Sequence, residues 1–285
     1  FKQLNKNSIP TAGGKGANLG EMFNIGLPIP PGFVITAPTY KLFTEKTKIK
    51  DKILSLLEGL DVENNKQLQK VSAQIQKLIS STPVPKEMAV EIMSSYEKMG
   101  TGKNEVFVAV RSSATAEDLP SASFAGQQAT FLNVKGKTSL IKAVSGCLAS
   151  LFTARAIYYR VKNNFEHSKV FIAVVVQKMV DSTKSGIMFT INPSNNNPSE
   201  IVIEAVYGLG ELIVGGEINP DFYAVDKVNL KTKKTELKKK DFGLFRDKKG
   251  KNIKKKLTPA VGNSQVLTPA QIKTLSELGR KIEKH

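Results

Sequence analysis

The stretch Val106–Val134 reads VFVAVRSSATAEDLPSASFAGQQATFLNV and has the pattern of two strands joined by a loop. Val106–Val110 is a continuous run of apolar β-forming residues, as expected for a strand that is buried on both faces. A second strand is expected at Thr130–Val134. Arg111 stands at the end of the first strand, directly before a loop rich in Ser, Ala, Thr and Gly.

This succession of strand, arginine and small-residue loop suits the binding of a polyphosphate. A guanidinium offers fork-shaped, charge-assisted hydrogen bonds to phosphate oxygens. Successive backbone N–H groups in a loop of small residues can form an anion-binding nest. The same residues equally allow a buried strand, a surface arginine and an ordinary loop with no ligand, so this stretch alone does not decide.

Five further motifs accompany the stretch in a fixed order. They are Gly13–Met22 (GGKGANLGEM), Pro28–Phe33 (PIPPGF), Val175–Val180 (VVQKMV), Gly186–Pro193 (GIMFTINP) and Gly208–Asp221 (GLGELIVGGEINPD). Together with Arg111–Asn133 they closely resemble the nucleotide-binding domain of the phosphoenolpyruvate synthase and pyruvate, phosphate dikinase family. The same domain occurs in rifampin phosphotransferase. The resemblance spans nearly the whole chain and favours the nucleotide interpretation.

The resemblance implies an α/β (α+β) fold of the ATP-grasp type, in which two subdomains clasp the nucleotide. We expect an N-terminal subdomain over residues 1–168 and a sheet-rich C-terminal subdomain over residues 169–285. Turn residues separate four strand-like runs that favour an antiparallel sheet in the second subdomain. These runs are Val170–Lys178, Gly186–Ile191, Glu200–Val206 and Phe222–Asp226, and a helix at Ala270–Glu283 should return across them.

The resemblance also implies the nucleotide-binding residues, which are Lys15, Arg111, Gly126, Thr130, Phe131 and Gln177. Lys15 and Arg111 would contact the phosphates and carry the catalytic role. A lysine among glycines just before a helix can approach a phosphate, aided by the helix N-terminus, although the spacing fits neither a P-loop nor a dinucleotide fingerprint. Gly126 would admit the backbone, and the first two residues of the second strand would line the site. At Gln177, a free strand edge with apolar neighbours would suit adenine.

The reaction implied by the resemblance is that of a phosphoenolpyruvate synthase-like dikinase. In that family the β-phosphate of ATP passes to a histidine on a separate domain and then to pyruvate on a third. The expected partners are therefore ATP and the phosphohistidine and pyruvate-binding domains of the same parent chain, and this sequence alone is expected to be inactive. The parent could instead be a rifampin phosphotransferase or a pyruvate, phosphate dikinase, and a stand-alone nucleotide-binding module is a further alternative.

Mg²⁺ is the expected cofactor beside ATP, because two phosphates carry more charge than Lys15 and Arg111 neutralise. By resemblance, the metal-binding Glu and a Gln-x-Arg motif follow the last helix, so we expect this sequence to be truncated before them. No carboxylate matches the metal position, and Glu204, Glu211 and Asp221 are candidates only because they lie in suitable loops.

Composition also limits the class of protein to which this chain can belong. The chain has 285 residues, 40% of them hydrophobic and 24% charged, as is usual for a globular protein. No continuous apolar run approaches the roughly 18 residues of a spanning helix, and the N-terminus lacks the apolar core of a signal peptide. Cys147 is the single cysteine, which excludes an internal disulfide. We therefore expect a cytoplasmic protein without a membrane partner.

The net charge of +17 raises the possibility of a nucleic-acid partner, but the charge is concentrated in one segment. Lys227–Lys256 holds fourteen Lys or Arg and three acids, which accounts for +11 of the total. No Tyr or Trp lies among these lysines to stack on bases. A solvated basic face is the favoured interpretation and a nucleic-acid partner is not expected.

Overall fold

The computed structural model describes residues 1–100, 105–115, 118–119, 122–123 and 129–285. It is a mixed α/β protein that divides into two compact units, Phe1–Met179 and Val180–His285. Its helices are α1 (Ile9–Asn24), α2 (Ala37–Lys46), α3 (Lys50–Leu57), α4 (Asn65–Ser81), α5 (Lys86–Glu97), α6 (Lys137–Ala149), α7 (Ala154–Lys162), α8 (Glu211–Val214), α9 (Pro259–Gly262) and α10 (Pro269–Lys284). Its strands are β1 (Gly32–Ile35), β2 (Val108–Ala114), β3 (Asp118–Leu119), β4 (Ala122–Ser123), β5 (Thr130–Val134), β6 (Ile172–Lys178), β7 (Lys184–Phe189), β8 (Glu200–Tyr207), β9 (Asp221–Asp226), β10 (Thr232–Glu236), β11 (Phe242–Arg246) and β12 (Asn252–Lys256).

The first unit is built on a four-stranded sheet in the order β1-β6-β2-β5, with every pairing antiparallel. β6 lies inside the sheet and pairs with β1 on one side and with the whole of β2 on the other. All its residues from Ile172 to Gln177 are buried. A strand covered on both faces needs apolar side chains at nearly every position, which explains the sequence IAVVV.

The division between the two units falls after Met179, whereas the sequence analysis placed it after residue 168. The difference lies in β6, which was predicted to belong to the second subdomain. Its hydrogen bonds to β1 and β2 place it in the first unit. A uniformly apolar strand carries no signal of which sheet it joins.

The two faces of the first sheet pack against different helices. Residues directly opposite each other on neighbouring strands point to the same face. Val110 and Val176 are opposite each other on the core face, which packs with α4, α6 and α7 in the main hydrophobic core. Arg111 and Val175 are opposite each other on the other face, here called the α1 face. α1 packs there at Gly16, where an added Cβ would lie 3.3 Å from a methyl group of Val34, the β1 partner of Val175.

The segment Lys137–Lys162 is, by length and composition, long and apolar enough to cross a membrane. However, 67% of its most apolar part is buried inside the protein. The segment is also interrupted before Thr153, whose side chain caps α7 by accepting from the N–H of Ala156. Its apolar character therefore reflects core helices, α6 and α7, packed on the sheet.

The second unit contains an antiparallel sheet in the order β10-β9-β8-β7, which confirms three of the predicted strands. α10 covers one face of this sheet, where Ile201, Ile203 and Tyr223 form a second core with Ile272 of the helix. The helix begins at a capping box formed by Thr268 and Gln271, with Pro269 as the first helical residue.

The basic segment Lys227–Lys256 forms β10, β11, β12 and their connections, and many of its lysines pair with acids of the same unit. These pairs are Lys227–Glu283, Lys233–Asp226, Lys234–Glu236, Lys238–Glu236, Lys239–Asp241, Lys240–Asp221 and Lys254–Glu217. This pairing supports the interpretation of the segment as a solvated face.

One of these pairs differs from the rest because it is fully buried. Lys240 Nζ donates to Asp221 Oδ1 at 2.5 Å, and neither side chain is exposed. The carboxylate also accepts from the backbone N–H groups of Lys238 at 3.0 Å and Val266 at 2.8 Å, and from the Tyr223 hydroxyl at 3.1 Å. Asp221 therefore links β9 to the segment around Lys238–Lys240 and to Val266, and its role is structural.

Replacing Lys240 by Met should destabilise the second unit by roughly 3–5 kcal/mol, because it leaves a buried carboxylate without its counter-ion. Lys239→Met is the matched control, since Lys239 forms an exposed pair with Asp241. Urea unfolding followed by circular dichroism measures both variants. Similar unfolding free energies for the two variants would contradict a structural role for the buried pair.

Candidate functional site

A kink in α1 determines how this helix meets the sheet. Gly13 has φ 66° and ψ 169°, a conformation that favours glycine, while the residues on either side are helical. A Cβ at this position would lie 2.2 Å from Ser113 Oγ and 2.4 Å from Ser113 O. The backbone of Gly13 therefore lies directly against β2, and Lys15 falls in the first turn of the helical segment that follows the kink.

Ser113 connects the two halves of the kinked helix. Its Oγ donates to the carbonyl oxygen of Ala12 at 2.9 Å and accepts from the N–H of Gly16 at 3.4 Å. Gly13 stands at the N-cap position of the second helical segment but has no side chain to accept from the third helical residue. Ser113, which is fully buried, supplies that acceptor from the neighbouring strand.

Arg111 lies two residues before Ser113 on β2 and therefore points to the same α1 face. Its side chain is partly buried, and this burial lowers the pKa of the guanidinium below its ordinary value. Within the described parts of the chain, Arg111 has no ion pair or hydrogen bond through its side chain. A partly desolvated cation without a counter-ion is a favourable place for an anion.

Gln177 lies on the same face as Arg111, as its diagonal neighbour on the adjoining strand. By ordinary sheet geometry, such residues are roughly 7–8 Å apart. Gln177 is buried, and its Nε2 donates to the carbonyl oxygen of Pro30 at 3.3 Å. The prediction of a free strand edge here is wrong, because β6 has neighbours on both sides and the N–H groups of Lys178 and Met179 are also bonded.

The two predicted residues of β5 lie on opposite faces of the sheet. Thr130 is exposed and lies directly opposite Arg111, so it belongs to the α1 face. Phe131 points to the core face, where its ring lies 2.5 Å from the position of an added Cβ on Gly146 of α6. The structure thus separates Phe131 from the other predicted residues. Gly126 lies outside the residues that the structure describes.

Ser113 is the part of the site that the sequence analysis missed. The signal was present in the pair Ser112-Ser113 directly after Arg111. Because side chains alternate along a strand, the second serine must share a face with Arg111 and the first must not. Ser112 indeed turns to the core face and donates to the carbonyl oxygen of Ala129 at 3.2 Å.

The three candidate metal ligands do not form a metal site. Asp221 is occupied by its buried contacts with Lys240 and backbone amides. Glu211 accepts from the side-chain amide of Asn252 at 2.5 Å on the surface. Glu204 lines an open cleft of about 500 Å³ on the sheet of the second unit. In the part of the chain that the structure describes, no three His, Cys, Asp or Glu side chains are grouped for a metal ion.

The family is decided by comparison with known proteins. The sequence profile described as "Pyruvate phosphate dikinase, AMP/ATP-binding domain" matches residues 9–285. The chain belongs to this family. The match covers both units of this AMP/ATP-binding domain.

Three relatives place this domain within longer proteins. The chain is 49% identical to a probable phosphoenolpyruvate synthase of Methanothermobacter thermautotrophicus and 50% identical to one of Archaeoglobus fulgidus. It is 44% identical to the phosphoenolpyruvate synthase of Pyrococcus furiosus. These matches cover 99–100% of the AMP/ATP-binding domain but only 42%, 37% and 40% of the respective relatives.

The capping role of Ser113 leads to a selective effect on phosphate binding. Ser113→Ala removes the acceptor for the Gly16 N–H and should weaken the binding of ATP by about 3- to 10-fold, since one hydrogen bond contributes roughly 0.5–1.5 kcal/mol. The binding of adenosine, which has no phosphates, should change less. Isothermal titration calorimetry with both ligands measures this difference.

Ser112→Ala is the matched control, because Ser112 is equally buried on the same strand but faces the core. It should leave the ratio of the two affinities unchanged. If Ser113→Ala weakened ATP and adenosine equally, Ser113 would have only a general structural role.

Proposed function

We propose that this domain binds ATP on the α1 face of the first sheet, with the phosphates between Arg111 and the turn that follows Gly13. The observation that carries this proposal is the uncompensated, partly buried guanidinium on the same face as that turn, two residues before Ser113. Helix N-termini attract phosphate because their N–H groups and dipole favour negative charge. Lys15, in the first turn, adds a second cation.

The remaining residues on this face suit the other parts of the nucleotide. Thr130 lies opposite Arg111 and offers a hydroxyl to the phosphates. Gln177, the diagonal neighbour of Arg111 on β6, lies on the part of this face that we assign to the base. Because its backbone is already paired within the sheet, its contribution would come from its side chain. We leave Phe131 out of this proposed site because its ring packs against α6.

For the parent protein we propose the reaction of a phosphoenolpyruvate synthase, in which phosphate from ATP passes through a histidine on another domain to pyruvate. The names of the relatives support this assignment over rifampin phosphotransferase or a stand-alone module. The relatives' greater length supports the presence of further domains in the parent. The contribution of this domain would be to position ATP and to neutralise charge that develops during transfer.

We also propose that this domain has the ATP-grasp fold. The family assignment supports this fold. Mg²⁺ commonly accompanies ATP in phosphoryl transfer. The donor set of the described residues does not fit it, since Asp221 is engaged and no grouped carboxylates are present there. We therefore assign no step to a metal held by these residues.

Arg111→Ala should weaken ATP binding about 10- to 100-fold, because a charge-assisted hydrogen bond contributes roughly 1.5–3 kcal/mol. The loss for adenosine should be smaller. Arg155→Ala, at an exposed position of α7, is the control and should leave both affinities unchanged. Equal losses for ATP and adenosine in calorimetry would show that Arg111 does not contact phosphate.

Mg²⁺ should improve ATP binding to this 285-residue chain by less than about threefold, because the described residues provide no grouped ligands for the metal. Calorimetry in Mg²⁺ and in EDTA, at equal ionic strength, measures the difference. A gain of tenfold or more would show that the chain holds the metal and would direct the search to Glu204 and to the residues between positions 115 and 129.

A further inference from the structure

Arg160 on α7 is a fully buried arginine in a different part of the first unit from Arg111. Its side chain is 1% exposed. Nε donates to His167 Nδ1 at 2.9 Å and one terminal nitrogen donates to the carbonyl oxygen of Leu151 at 2.6 Å. The other terminal nitrogen, Nη2, has no hydrogen-bond partner. No carboxylate pairs with Arg160 anywhere in the described ranges, so its charge is buried without compensation.

A cavity of about 50 Å³ lies beside this arginine. Two of its walls contact the guanidinium directly, since His167 accepts its hydrogen bond and the Phe152 ring centroid lies 5.1 Å from its central carbon. Tyr40, Lys41 and Lys50 also line the cavity. Its lining contains two lysines and a histidine but no Asp or Glu, and since Lys41 pairs with Glu45 at 4.0 Å, Lys50 is the lining lysine that can offer its charge to a ligand.

The lining also provides hydrogen-bond donors. Because His167 Nδ1 accepts from Arg160, the neutral ring carries its proton on Nε2, where it can donate. Burial and the charge of Arg160 lower the pKa of His167 to about 4, which keeps the ring in this neutral form near pH 7. Burial raises the pKa of Tyr40, so its hydroxyl also remains protonated. Lys50 adds a charged donor at the wall.

We propose that this cavity is a binding site for a small anion, either a halide or a compact oxyanion such as acetate. His167, Tyr40 and Lys50 would donate to the anion, and Arg160 would supply the compensating charge behind them. The volume corresponds to roughly three to five water-sized positions, which is too small for a nucleotide. A cation is disfavoured because the lining lacks carboxylates. The site shares no residue with the proposed nucleotide site.

The test uses thermal melting of the 285-residue chain at constant ionic strength. Chloride and acetate are compared with gluconate, which is too large for the cavity. A ligand that binds only the native state raises the melting temperature in a saturable way. We expect a rise of about 2–4 °C at saturating chloride or acetate.

Single-residue variants test whether the anion-dependent rise in melting temperature comes from binding in this cavity. Lys50→Gln and Tyr40→Phe should each reduce the anion-dependent rise by at least half, and Arg160→Gln should abolish it. Lys52→Gln is the matched control, because Lys52 lies on the same helix, is exposed and does not line the cavity. Lys52→Gln and Arg111→Ala should both retain the full rise, which separates this site from the nucleotide site.

Three results would overturn the proposal. The first is an equal melting temperature of the wild-type chain in chloride, acetate and gluconate. The second is an anion effect that survives both Lys50→Gln and Tyr40→Phe, and the third is an anion effect that disappears in Arg111→Ala. Because the lysine and tyrosine changes are conservative, the test does not depend on whether Arg160→Gln folds.

Discussion

The close contact between Gly13 and Ser113 determines how the kinked helix α1 meets the strand β2. No side chain fits at Gly13 without displacing β2, and no residue other than glycine readily adopts its backbone conformation. This contact fixes the distance between β2, which carries Arg111, and the first residues of the helical segment that follows Gly13 and carries Lys15. A backbone contact and one serine hydroxyl thereby hold the helical segment that carries Lys15 against the strand that carries Arg111.

The sheet keeps this chemistry apart from the core by simple alternation. Val110 and Val176 point into the core, while Arg111, Ser113 and Gln177 point to the α1 face. The same rule explains why Phe131, next to Thr130 in sequence, lies on the other side of the sheet. Arg160 shows that a buried cation is not by itself evidence for the nucleotide site, because its surroundings in α7 are entirely different.

Local apolar runs and turn residues predicted the strands β2, β5, β6, β7, β8 and β9 and the helix α10, because these patterns act over a few positions, although β2 continues to Ala114 beyond its predicted end at Val110. The residues assigned to the nucleotide came from the resemblance. Resemblance supplied the nucleotide, since composition left the Val106–Val134 stretch ambiguous. What failed depended on partners distant in sequence. The apolar run of β6 gave no indication that β1 and β2 would flank it, so both the unit boundary and the supposed free edge at Gln177 were misplaced. The burial of Asp221 against Lys240 was likewise invisible in a segment that read as solvated lysines.

The most direct test of the nucleotide site is a titration of the ¹⁵N-labelled chain with ATP, followed through its backbone amide NMR signals. The phosphates should produce the largest shifts at Gly14–Gly16 and at Arg111–Ser113, two segments that are distant in sequence and meet where Ser113 contacts Gly13 and Gly16. The triphosphate alone should reproduce these shifts, and adenosine alone should not. Shifts confined to the core face around Phe131 and α6, or to the second unit, would contradict the account.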